Sequence, residues 1–174
     1  MDRVMKRSSR FFSAAMVLCA SLLAAPAQAL SVGETAPKFS APSLRDKSTV
    51  SIGDYRGKVL YVDFWASWCG PCAIVFPMLE QLRFELGDQG FEVVGVNVDT
   101  DAADARGFMK KNVVSFPLLG PVGDRVPTAY GVTGMPYGLV IDRKGVVRSL
   151  HMGLRASDLP DLRKQLEELL AQSP

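Results

Sequence analysis

Tyr61-Val62-Asp63-Phe64-Trp65-Ala66-Ser67-Trp68-Cys69-Gly70-Pro71-Cys72 is a nearly continuous apolar run that ends in a Cys-x-x-Cys. Lys58 to Trp65 reads as a buried strand, interrupted only by Asp63. Beyond the cysteines, Val75, Leu79, Leu82 and Leu86 recur at spacings of four, three and four, one face of a helix ending near Gly87 and Gly90. Strand, cysteines and helix in that order put Cys69 at a helix start. Free backbone N–H groups and the positive dipole end there favour thiolate over thiol. A stabilised thiolate beside a second cysteine is equipped to make and break disulfides. Gly70-Pro71 permits the tight turn, and Pro71 has no N–H to waste at the helix start. The competing reading is half of a four-ligand zinc site, which needs two more ligands where only His151 is on offer.

Working outward, Arg3, Lys6, Arg7 and Arg10 precede an apolar segment from Phe11 to Ala25, and Ala27-Gln28-Ala29 follows as a small-x-small cleavage pattern. A spanning helix needs about 20 apolar residues, so residues 1–29 read as a cleavable signal peptide and 30–174 as one domain. Left uncut, the segment would serve as an N-terminal anchor. Cys19 lies inside it behind Leu18, a poor lipoprotein site because no small residue precedes it. A Sec-type signal predicts a periplasmic or otherwise exported domain. Its removal takes away four basic residues and Asp2, turning the formal net charge from +2 to −1. The basic balance thus belongs to the leader, and no basic stripe interleaved with aromatics speaks for nucleic acid. Cys69 and Cys72 then remain as the two cysteines of an exported chain. So short a loop stabilises little as a staple, which suits turnover better.

The rest of the chain alternates strand and helix patterns. Leu44 to Ile52, with a turn at Arg45-Asp46-Lys47, predicts a small N-terminal hairpin. Phe91 to Val98 reads as a strand and Asp101 to Asn112 as a helix, while Val113 to Arg125 reads as irregular. Tyr137–Asp142 and Val146–His151 read as strands joined at Arg143-Lys144-Gly145. A last helix spans Asp158 to Ala171, with Ser157 as N-cap, Pro160 in the first turn, and a stripe of Leu159, Leu162, Leu166, Leu169 and Leu170. Pro77 should kink the helix that contains it.

Gly33-x-x-Ala-Pro-x-Phe39, Tyr55-x-Gly-Lys58, the Val62–Cys72 run, Tyr130-Gly-Val-Thr-Gly-Met-Pro136 and Ile141-Asp-x-x-Gly145 form an ordered set. In these motifs the chain resembles the thioredoxin superfamily, and within it the exported TlpA/ResA-like thiol–disulfide reductases. The resemblance covers residues 32–170 and implies an α/β thioredoxin-like fold, a mixed central sheet flanked by helices, with an N-terminal hairpin extension. Departures stand beside it. The place where ResA-type reductases carry a glutamate, three residues after the second cysteine, is Val75. Asp63 matches the buried aspartate of ordinary thioredoxins, but their lysine on the next strand is replaced by Gly95. Cytochrome-c-maturation members often have a glutamate just after the second motif's proline, where this chain has Tyr137.

The expected roles follow. Cys69 attacks a target disulfide and Cys72 resolves the mixed disulfide. Burial should raise Asp63 so that it accepts the proton of Cys72; the plainer alternative is an edge-of-strand aspartate with local hydrogen bonds. The resemblance implies a cis peptide at Met135-Pro136 and a backbone there that pairs with extended substrate. Met135 offers a soft apolar contact, or else is a core methionine in an ordinary turn. Trp68, with Gly70 and Pro71, should rim the site, and Trp65 should be core. His151 reads as a surface or satisfied histidine. The redox disulfide needs no metal or other cofactor. The domain is expected to act as a monomer on protein disulfides, apocytochrome or copper-chaperone cysteines among them, with a membrane electron donor upstream. A disulfide oxidase or isomerase, and a non-enzymatic thiol carrier of a soft metal, are the other classes.

Overall fold

The computed structural model describes residues 30–172, so the expected leader lies outside the described residues. In chain order the elements are β1 (Ser40–Pro42), β2 (Thr49–Ser51), β3 (Val59–Trp65), α1 (Cys72–Leu86), β4 (Phe91–Asn97), α2 (Ala102–Lys111), β5 (Leu118–Leu119), α3 (Arg125–Ala129), β6 (Tyr137–Ile141), β7 (Val147–Met152) and α4 (Leu159–Leu170). Every residue of β3 and β4 is buried, as mostly apolar strands covered on both faces require, and Asp63, Glu92 and Asn97 are the polar residues buried with them. β3 is central, with β4 parallel on one side and β6 antiparallel on the other. The full order is β5-β4-β3-β6-β7, and β1–β2 form the expected hairpin apart from it. The hairpin begins earlier than the sequence suggests, at Ser40, and its turn places Lys47 at φ 64°.

Alternation along β3 divides the core in two. Val59, Tyr61 and Trp65 join the leucines of α1 and α4, whereas Leu60, Val62 and Phe64 pack with Leu30, Ala41 and Tyr130. Each fully buried Val, Leu or Phe side chain favours folding by about 1.5–3 kcal/mol, so both layers hold the strand that leads into the cysteines. α4 buries Leu162, Leu166, Leu169 and Leu170, as its periodicity predicts.

Two local expectations change. Val113–Arg125 is not wholly irregular: β5 pairs with β4, and α3 begins at Arg125. Two residues are too few to show a period, and the strand exists because β4 offers a parallel edge. Ser157 does not cap α4; Asp158 occupies that place, and the Ser157 hydroxyl donates to its carboxylate at 3.1 Å. Pro77 lies within α1, where the sequence places it.

Candidate active site

The chain leaves β3 at Trp65 and enters α1 at Cys72 through a turn bonded at Cys69 N–H→Ala66 C=O and Cys72 N–H→Cys69 C=O, each 3.1 Å. Cys69 and Cys72 are joined by a disulfide, with Cα atoms 5.4 Å apart. Cys69 is 3% exposed and Cys72 fully buried. The Cys72 amide, first of the helix donors, also points at Cys69 Sγ from 3.2 Å. That is the helix-start donor the sequence places there, and it would stabilise negative charge on the sulfur. Gly70 has a different reason from the one expected. Its φ is not positive, and a Cβ there would meet nothing within 4 Å, so the turn does not demand glycine. What glycine leaves is bare surface beside Cys69. Trp68, 68% exposed, stands at that surface, while Trp65 is buried against Phe76 and Phe108 at 5.2 and 5.1 Å.

A clasp that the sequence reading missed fixes the turn from behind. Asp99, 4% exposed, accepts the Ser67 N–H at 3.0 and 3.1 Å, the Ser67 hydroxyl at 3.0 Å and Asn97 Nδ2 at 2.8 Å. Its signal was the pair Asn97-x-Asp99, polar residues at and just beyond the end of a strand that is otherwise apolar after Glu92. Asp99→Ala would orphan the Ser67 amide, and a buried donor without a partner costs about 1–3 kcal/mol. The expected result is a loss of that size in urea unfolding, with faster amide hydrogen exchange at Ser67. Unchanged exchange there would mean that the clasp does not hold the turn.

Asp63 sits mid-strand in the centre of the sheet, which rules out the edge-of-strand alternative. It is 1% exposed, and Oδ2 has no hydrogen-bond partner among the described residues. Burial alone pushes its carboxyl well above the ordinary range. Its neighbours across the sheet are both glycines, Gly95 on β4 and Gly138 on β6. A Cβ on Gly95 would lie 2.5 Å from Leu118 Cδ2, so that position has no room for a lysine. Val75 is likewise core, at 1% exposure.

The Met135–Pro136 peptide is cis, as is the unforeseen Gly120–Pro121. Pro136 is buried, and half-buried Met135 packs against the cluster that contains both cysteines. His151 is half-buried and satisfied, with its Nε2 2.8 Å from Ser149 Oγ. Among the described residues, no three His, Cys, Asp or Glu side chains gather as a metal site would need, and no helix is long and apolar enough to cross a membrane.

Residues 31–166 match the family described as Redoxin. A thiol-disulfide oxidoreductase ResA of Geobacillus thermodenitrificans is 32% identical over 141 residues, 81% of this chain and 79% of that one. The ResA of Bacillus subtilis is also 32% identical, over 69% of this chain and 66% of its own. Among solved structures, a Chlorobium tepidum protein described as a thiol:disulfide interchange protein DsbE superposes with a TM-score of 0.76 at 38% identity. That superposition covers 82% of this chain and all of the other. A Bacteroides thetaiotaomicron protein described as a protein disulfide isomerase gives 0.74 at 27% identity, over 82% and 92%.

Proposed function

The chain belongs to the Redoxin family, as a ResA-like thiol–disulfide oxidoreductase of the thioredoxin superfamily, and from that footing we propose that it is an exported reductant of other proteins' disulfides. The observation that carries the reading is the Cys69–Cys72 disulfide at the start of α1, with a helix-start amide aimed at Cys69 Sγ. In this reading the Cys69 thiolate attacks a substrate sulfur, and one substrate sulfur departs with the electron pair of the broken bond. Cys72 then attacks Cys69 Sγ and frees the second substrate sulfur. The substrate gains two electrons, and Cys69–Cys72 becomes the disulfide. Asp63 takes the proton of Cys72 during that second attack. Trp68, bare Gly70-Pro71 and the Met135-Pro136 loop form the surface that receives an extended segment of substrate.

The reducing direction is favoured by Gly70-Pro71, the dipeptide of thioredoxin. Thioredoxin lies near −270 mV and the strong periplasmic oxidant near −120 mV, a gap worth roughly 7 kcal/mol for two electrons. A reductant in an oxidising compartment must be recharged, which calls for a membrane donor of electrons. Residues 1–29 would deliver the domain to that compartment, where it acts as a monomer; apocytochrome and copper-chaperone cysteines are fitting targets. The test is the potential of the Cys69–Cys72 couple against glutathione or dithiothreitol buffers. We expect it close to thioredoxin's, and a value above about −150 mV would reassign the protein as an oxidase.

A further inference from the structure

Resting on the reading of Asp63 as the base for Cys72, one requirement is still unmet. Each turnover leaves a proton on a carboxyl that is 1% exposed, and that proton must reach water. The sheet register supplies a path. Gly95, Asp63, Gly138 and His151 are successive partners across β4, β3, β6 and β7. Directly opposed residues share one face of a sheet, with Cβ atoms about 4.5–5.5 Å apart. Asp63 and His151 therefore flank a glycine on the face beneath α1 and α4. The Tyr61 hydroxyl fills that glycine's place: a Cβ on Gly138 would lie 2.1 Å from it. The hydroxyl is thus lodged between the two. Both it and Asp63 Oδ2 are buried without a hydrogen-bond partner among the described residues, although buried polar atoms are nearly always satisfied. The Tyr61 and His151 rings are 5.9 Å apart. His151 Nε2 is 2.8 Å from Ser149 Oγ, which donates to Gln165 Oε1 at 2.7 Å. His151 also lines an open cleft with Asp158, Asp161, Lys164 and Glu168.

We infer that Tyr61 and His151 carry the proton between Asp63 and solvent, crossing the sheet over Gly138. The Asp63 O–H bond breaks as its proton passes through a bridging water to the Tyr61 oxygen, and the hydrogen of Tyr61 passes in the same way to the free ring nitrogen of His151. The imidazolium then releases a proton to water in the cleft. Tyr61 ends as it began and is never a phenolate, since burial and then the Asp63 charge hold its hydroxyl well above the ordinary range. Burial lowers His151, against the opposing pull of Asp158, so its ring is neutral and able to accept near neutral pH. With Gly95 closed off by Leu118, the exit runs to the opposite side of the sheet.

The reduced protein mixed with Ellman's reagent tests this. Attack by Cys69 releases a first thionitrobenzoate and resolution by Cys72 a second, which stopped-flow absorbance separates. For Tyr61→Phe and His151→Asn we expect an unchanged first phase and a second phase slowed roughly tenfold near pH 6. The difference should narrow as pH rises, because more of Asp63 is then ionised before the reaction starts. The reduction potential should stay as in the wild type, because a path alters rates and not equilibria. The double variant should be no slower than the slower single one, as the steps are in series. A wild-type second phase at all pH values in either folded variant, or additive slowing in the double, would overturn the path. His151→Asn, at a half-exposed position, carries the test should Tyr61→Phe fail to fold. Asp63→Asn run beside them separates the two failures: slow resolution there alone rejects only the path, whereas unchanged resolution there rejects Asp63 as base.

Discussion

Replacing Cys72 by serine is expected to reduce steady-state disulfide reduction to background and to leave Cys69 covalently joined to its target. Serine's hydroxyl is too weak an acid to supply an attacking anion at neutral pH, so the mixed disulfide has no way forward. The first step survives, because the Cys72 backbone N–H that points at Cys69 Sγ is unaffected by the side chain. Cys69→Ser should yield no adduct, since the remaining sulfur is fully buried. The measurement is mass spectrometry of adducts captured on the Cys72→Ser protein in envelope extracts and reversed by dithiothreitol. Those adducts would identify the substrates by name. An adduct formed faster on Cys69→Ser than on Cys72→Ser would exchange the roles of the two sulfurs, and none on either would remove proteins from the substrate class.

The cysteine turn was legible because its determinants are local. An apolar run, two cysteines and a leucine face follow one another within thirty residues, and each carries its own period. β4 and α4 were readable for the same reason. β5 was not, because Leu118–Leu119 becomes a strand only through pairing with β4. The same distinction divides the site. Asp63 stood out as a charge in a core strand, whereas Tyr61 was one more residue of the apolar run and His151 read as a surface or satisfied histidine. Their meaning comes from register: Gly138, far along the chain from Tyr61, leaves the gap that its hydroxyl enters. Nothing in a linear pattern marks a glycine as the space for another strand's side chain. The Asp99 clasp on Ser67 escaped likewise, since its bonds span thirty-two residues.

Asp63→Asn is expected to slow the resolving step by on the order of a hundredfold near neutral pH while making the oxidised protein more stable there. The two effects share one cause. In the unfolded chain the carboxyl ionises near its ordinary value, about 3.9; in the fold, burial raises it well above that. Between those two points the folded state holds a proton that the unfolded state has lost. Unfolding stability must therefore fall with rising pH, by up to about 1.4 kcal/mol per pH unit for a whole proton. Below the unfolded value both states are protonated, and no such penalty applies. Asparagine keeps the shape and cannot ionise, so its stability curve should lack this slope. Urea unfolding from about pH 4 to 8 should show the two proteins converging at acid pH and separating as pH rises, the variant ahead. Parallel curves would mean that Asp63 does not titrate as a buried acid, and the case for it as the base would go with them. If the curves do separate, the carboxylate persists in the core at the expense of stability. A role in packing cannot account for that, because the uncharged isostere would pack as well; proton transfer at Cys72 can.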